Sequence, residues 1–153
     1  MSKTKQTLEI EQALIKRTNS VLGCYGALEV TIGRAGSSGY ERCDYVEFDT
    51  SSEIRCYEIK VTMSDLKSKN KLSYLGDKNY LVVPAKLADE ILKSSYNLGG
   101  VGLISFDGKN FKSLTRASKR AVGIGERVAL LEGIAKSACR DAIKFYSNMG
   151  DDK

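Results

Sequence analysis

The chain contains no histidine. Every mechanism built on an imidazole is therefore excluded, Ser-His-Asp and Cys-His nucleophilic catalysis among them. The four cysteines, Cys24, Cys43, Cys56 and Cys139, are widely spaced and form no C-x-x-C pair, which argues against a zinc site. Small core cysteines in a reduced, cytoplasmic chain are the expected use. Tryptophan is absent and Pro84 is the single proline. No apolar run approaches the length of a membrane span, and no signal-peptide pattern opens the sequence. Internal repeats and low-complexity segments are missing as well.

What is present is an ordinary globular composition over 153 residues, expected to fold as one domain with a core of its own. Twenty-four basic residues against nineteen acidic ones give a net charge of +5. That balance suits a polyanionic partner without proving one.

The most informative stretch is Cys43–Thr50 followed by Glu53–Thr62, two runs rich in β-branched and aromatic residues around Ser51-Ser52. It reads as a β-hairpin. A turn centred near Ser51 sets Asp44 opposite Glu58 and Glu47 opposite Arg55, the second a favourable cross-strand charge pair. With a side-chain period of two, Asp44, Val46 and Phe48 share a face with Ile54, Cys56, Glu58 and Lys60, while Tyr45, Tyr57, Ile59 and Val61 take the other. Cys43 and Cys56 then lie on opposite faces and are not expected to bond. Both faces look partly covered, so two carboxylates and an ammonium gather in a half-buried place. An acid pair there needs a cation or a proton, since unpaired buried charge is costly. Mg²⁺ fits: it prefers hard oxygen ligands and binds through one or two carboxylates plus substrate phosphate.

Asp44, thirteen intervening residues and Glu58-Ile59-Lys60 resemble the D…ExK core of the PD-(D/E)XK nuclease superfamily. The following Lys60-Val61-Thr62-Met63-Ser64-Asp65-Leu66, Lys71-Leu72-x-Tyr74 and Asp77-x-x-Tyr80-Leu81-Val82-Val83-Pro84 are similar to the MmcB-type DNA-repair endonucleases. The resemblance spans residues 8–106. It departs at Cys43, where the superfamily name has Pro, and at Leu72, where an aromatic is expected. It implies a restriction-endonuclease-like α/β core, with a central mixed sheet of about five strands flanked by helices.

Taken in order, residues 6–19 read as an amphipathic helix whose apolar arc holds Ile10, Leu14, Ile15, Val21 and Leu22. Glu11 points into that arc; the superfamily's first helix often supplies a Glu near the metal, and otherwise Glu11 snorkels to solvent. Residues 26–32 read as a strand. The Gly/Ser loop after it carries Arg34 and Arg42 without Walker or dinucleotide spacing; it either touches substrate phosphates or is only a connection. Ser64 looks like the N-cap of a helix over 65–75. On it, Lys71 and Tyr74 match the family pattern, whereas Lys67 and Lys69 read as a solvated face. Residues 80–83 form a buried strand, Pro84 opens a helix through Tyr96, and 101–106 form another buried strand. The order expected is a helix, a three-stranded meander and two crossovers adding parallel strands. Residues 107–153 lie beyond the resemblance. They hold a basic strand/turn region with Lys109, Lys112, Arg116, Lys119 and Arg120, which is either a phosphate-contacting strip or exposed chain. A helix over 126–147 follows, with Val128, Leu131, Ile134, Ala135, Ala138, Ala142 and Phe145 in a stripe that packs on the sheet or makes a homodimer contact.

The function implied is Mg²⁺- or Mn²⁺-dependent hydrolysis of DNA phosphodiesters, structure- or damage-directed in repair or recombination, with RNA as substrate left open. Asp44, Glu58 and the Ile59 carbonyl would hold metal, Lys60 would position the water or stabilise the oxyanion, and Glu11 would act through water or a second ion. Two other readings stand beside it: a catalytically inactive nucleic-acid-binding module on the same fold, and an interaction protein whose hairpin charges form a surface ladder.

Overall fold

The computed structural model describes residues 2–33, 41–68 and 74–150. Among them run four helices and six strands: α1 (Lys5–Asn19), β1 (Cys24–Ile32), β2 (Glu41–Asp49), β3 (Ile54–Ile59), α2 (Met63–Leu66), β4 (Lys78–Pro84), α3 (Ala85–Lys93), β5 (Gly102–Phe106), β6 (Phe111–Thr115) and α4 (Ile124–Met149). The strands make one mixed sheet in sequence order. β1, β2 and β3 form the antiparallel meander, β4 and β5 add in parallel, and β6 returns antiparallel beside β5. This is the expected α/β architecture with one strand more. The addition, β6, follows the Asp107 turn, where the carboxylate accepts the amides of Lys109 and Asn110.

Helices cover both faces. α1 lies over Tyr45, Tyr57, Ile59, Val82, Ile104 and Phe106, using Ile10 and Leu14. α2 and α3 cover Leu81, Val83 and Leu103 on the other face through Leu66, Leu87, Ala88 and Ile91. α4 covers Val30, Cys43, Val46, Ile54 and Cys56 on that same face with Leu130 and Ile134. Among the described residues, no helix is long and apolar enough to cross a membrane.

Several boundaries differ from expectation. α1 ends at Asn19, so Val21 and Leu22 are not part of its apolar arc; Leu22 is fully exposed. α2 spans four residues rather than eleven, and its N-cap is Thr62, whose hydroxyl accepts the Asp65 amide at 3.0 Å. The Thr62 backbone is already extended at φ −134°, the geometry an N-cap needs. α3 stops at Lys93, with Ser94 as its C-cap.

The hairpin register is as expected, Tyr45 facing Tyr57 and Glu47 facing Arg55. The side-chain alternation of β1 and β2 is not. Leu28 pairs with Tyr45 and Val30 with Cys43, but Glu29 and Asp44 between them leave the ladder, and Glu29 has φ +52°. The register survives on both sides while the faces exchange. Tyr45 packs under α1, and Cys43 packs under α4 beside Val46. Cys43 and Cys56 therefore share a face, against the expectation from uninterrupted alternation. The Cys56 sulfur and burial together raise the Cys43 thiol well above its ordinary value.

Candidate metal and phosphodiester site

The break at Glu29 and Asp44 decides where the Asp44 carboxylate goes. Its Oδ2 accepts the backbone N–H of Ile59 at 2.8 Å, standing in for the strand carbonyl that a regular ladder would supply. Lys60 bonds the other way, its N–H donating to the Val82 carbonyl at 3.1 Å on β4. A strand residue's N–H and C=O point to the same side, so the Ile59 carbonyl points toward the strand edge that Asp44 occupies. Glu58 is the neighbouring residue on β3, 4% exposed, on the face covered by α2 and α3 and level with Leu81. Asp44 at the strand edge and Glu58 on the covered face thus both lie at the C-terminal end of β3, of which Glu58 and Ile59 are the last two residues.

Tyr74 and Cys43 feel the charge of both carboxylates. Burial raises the Tyr74 phenol well above its ordinary value, and the charges of Glu58 and Asp44 raise it further. The same two carboxylates add to the upward shift of the Cys43 thiol. Tyr74 is half-buried and packs against the cluster of Leu81, Val83 and Leu103 beneath α3.

Lys60 is 8% exposed, and its Nζ lies 3.6 Å from Asp65 Oδ1 on α2. The other oxygen, Asp65 Oδ2, accepts the Val61 amide at 3.4 Å. Asp65 is thus the residue that holds Lys60 at the site, and it was not foreseen. Its sequence signal was its place three residues after Thr62, the spacing of an N-cap and its first-turn acid.

Glu11 is buried, as a residue inside the apolar arc should be. Its partner is Lys3, whose ammonium also reaches Glu29 at 2.8 Å; Glu29 in turn meets Arg42 at 2.6 Å. Among the described residues, no three His, Cys, Asp or Glu are placed to share a metal ion. Glu11, expected to act through water or a second ion, is thus not grouped with Asp44 and Glu58 around one ion. α1 crosses the opposite face of the sheet, and Lys3, just ahead of its N-cap Thr4, lies close enough to neutralise Glu11. Two carboxylates and a carbonyl remain, hard oxygen donors of the number that Mg²⁺ takes from protein.

The basic residues divide. Arg42 is half exposed and paired with Glu29. Lys109 and Lys112 lie at the end of the sheet to which β3 delivers Lys60, since Lys112 pairs with Ser105 beyond the level of Glu58. The chain then runs back. Arg116 and Lys119 are exposed, the Arg120 amide donates to the Asp77 carbonyl at 2.8 Å, and its guanidinium pairs with Glu126 at 2.9 Å. Lys119 and Arg120 therefore belong to the far end of the sheet, not to one strip beside the carboxylates. Arg34 and Lys71 lie outside the described residues.

Asp77, part of the family-like run, has a structural task. Its carboxylate accepts the Ile54 amide at 2.8 Å and Arg127 Nη2 at 2.9 Å, tying α4 to the start of β3. The Glu47–Arg55 pair is also structural. Glu47 accepts Arg55 Nε at 2.7 Å, the Thr18 hydroxyl at 2.6 Å and the Tyr57 phenol at 3.1 Å beneath α1. Burial works to raise the Glu47 carboxyl, but these donors hold it below the ordinary range.

No family model matches the chain, and no curated protein matches it. A solved structure of a protein of unknown function from Silicibacter pomeroyi is similar at a TM-score of 0.70, with 16% identity over 97% of each chain. That likeness extends to the fold alone.

Proposed function

We propose that the chain is a metal-dependent DNA endonuclease, hydrolysing phosphodiester bonds in a structure- or damage-directed step of repair or recombination. The observation that carries this reading is that Asp44, bonded to the Ile59 amide, reaches the end of β3 where Glu58, Ile59 and the buried Lys60 follow one another. Asp44, Glu58 and Ile59 would hold Mg²⁺ or Mn²⁺. The bound ion would lower the pKa of a coordinated water and neutralise charge on the phosphate. Asp44 is oriented by the Ile59 amide, Glu58 by its strand, and Lys60 by Asp65. Held there, the Lys60 ammonium orients the attacking water or meets the developing negative charge on phosphate oxygen. Lys112 and Lys109 extend positive charge from the same end of the sheet toward the flanking backbone, which gives salt-sensitive and largely sequence-independent affinity.

The test is cleavage of labelled single-stranded, duplex, flap and four-way-junction DNA with Mg²⁺ or Mn²⁺, beside Lys60→Ala and Asp44→Asn. Cutting that disappears in EDTA and in both variants is the expected result, and a matching RNA substrate fixes the preferred sugar. Salt-sensitive DNA retention without cutting would replace the reading with a binding module on the same fold. Neither cutting nor retention would leave the hairpin charges as structure.

A further inference from the structure

α4 is a 26-residue helix, roughly 39 Å long at 1.5 Å per residue. Only its first half is packed: Leu130, Gly133, Ile134 and Ser137 are its buried residues, and every position from Ala138 to Met149 is exposed. The last tie to the sheet is Arg140, whose Nη2 donates to the Glu29 carbonyl at 3.1 Å. The sequence stripe noted above does not face the sheet, apart from Ile134. Val128, Leu131, Ala135, Ala138, Ala142 and Phe145 are all exposed, and Met149 continues the series. Their spacing alternates three and four throughout, the seam of one helix paired lengthwise with another.

We propose that this stripe is the docking surface for α4 of a second copy of the chain. A sustained heptad seam is complementary to a helix of its own kind, and the three central alanines let two backbones approach closely while larger side chains close both ends. Charge permits the pairing: α4 carries four basic and three acidic residues, close to neutral in a chain of net charge +5. The area suffices as well. Val128, Leu131, Phe145 and Met149 on the stripe, with Tyr146 at its flank, are each between 41% and 72% exposed. The two aromatics alone carry roughly 150–250 Å² apiece, so the set supplies most of the ~800 Å² per partner of a stable interface. A helical segment of twelve residues without tertiary packing is marginal in water, so the overhang from Ala138 onward gains its order from the second copy. This inference is independent of the nuclease reading.

Sedimentation equilibrium of the full chain, from low micromolar to near millimolar concentration, tests it. Wild type and the off-stripe control Ser147→Glu are expected at twice the 16.8 kDa chain mass. Ala138→Glu and Phe145→Glu, both at exposed positions, are expected to weaken self-association by roughly 30-fold or more, the scale of losing a central anchor. Far-UV circular dichroism should show helix lost in those two variants with the sheet core still cooperative. A monomeric wild type overturns the proposal. So does a dimer that survives both stripe substitutions, since the copies would then meet elsewhere.

Discussion

Asp44 has two tasks that can be separated by choice of substitution. Its carboxylate satisfies the Ile59 amide at 2.8 Å, and Ile59 is 6% exposed, so that donor has little access to water. Asp44→Ala deletes the acceptor and orphans a buried N–H, which costs ~1–3 kcal/mol. Asp44→Asn keeps a side-chain oxygen for the same amide and loses only the charge assistance, worth about half the bond. It also removes a negative charge beside Glu58, which offsets that loss in the metal-free protein. Urea unfolding without metal should therefore give Asp44→Ala about 2 kcal/mol less stable than wild type, and Asp44→Asn within about 0.5 kcal/mol of it. For a chain of this size the first shift is a fall in Tm of roughly 4–8 °C. Adding Mn²⁺ at a hundred times its Kd should stabilise wild type by ~2.7 kcal/mol and leave both variants unmoved. Asp44→Ala as stable as wild type would refute the claim that this carboxylate completes the strand edge. Equal stabilisation of Asp44→Asn and wild type by Mn²⁺ would refute the metal site.

Gly133→Ala should destabilise although alanine favours helix by ~1 kcal/mol, because the added Cβ would stand 2.5 Å from the Thr31 carbonyl oxygen and 2.9 Å from Val30 Cγ1. Urea unfolding reads the sign, and a stabilised variant would show that α4 is free to lift from β1. Burial acts to raise the Asp77 carboxyl, but the Ile54 amide and Arg127 hold it below the ordinary range. Its folded pKa thus lies under the unfolded value of about 4, and its contribution is present above that pH and lost as pH falls through the folded value. Unfolding free energies from pH 6 to 3 should fall more steeply for wild type than for Asp77→Asn; parallel curves would count against the role. In DNA retention, Lys112→Ala should reduce the salt slope by about one unit, and Lys119→Ala, at the far end of the sheet, by much less. Equal effects would restore a continuous basic strip.

The order of elements was readable because each signal was local. The hairpin register followed from a polar turn and one charge pair, and Glu47 with Arg55 keeps it. Tyr80–Val83 announced itself as a two-sided buried strand by unbroken apolar character. α2 was read too long because the chain after Leu66 has ordinary helix propensity, while the turn at Lys67 and Ser68 closes the helix after one turn; residues 69–73 of the expected helix lie outside the described residues. The single-turn α2 buries Leu66 alone. The stripe on α4 was visible as a period, but whether its partner was the sheet depended on which of two offset apolar faces the sheet takes. Leu130 and Ile134 took it, with Gly133 allowing the close approach.

The site shows the same division more sharply. Asp44, Glu58 and Lys60 were legible as a triple because two of them share a strand and the third sits across a hairpin of known register. What alternation could not supply is how Asp44 reaches the others. Ordinary alternation would stand its carboxylate on the face beneath α4, among Val46 and Cys56. Instead Glu29 takes a left-handed conformation, φ +52°, in the neighbouring strand. That conformation is uncommon for a residue with a side chain and costs of order 1 kcal/mol or more. Its surroundings hold Glu29 there: Lys3 and Arg42 grip its carboxylate, and Arg140 of α4 grips its carbonyl. The strain thus sits one strand away from the chemistry, with ion pairs to maintain it. Its effect is to bring Asp44 out of a sheet face to the strand edge where it accepts the Ile59 amide. Glu11 takes part in this arrangement from the first helix. By neutralising Lys3, it fixes one of the grips on Glu29, and so helps to hold the backbone that aims Asp44.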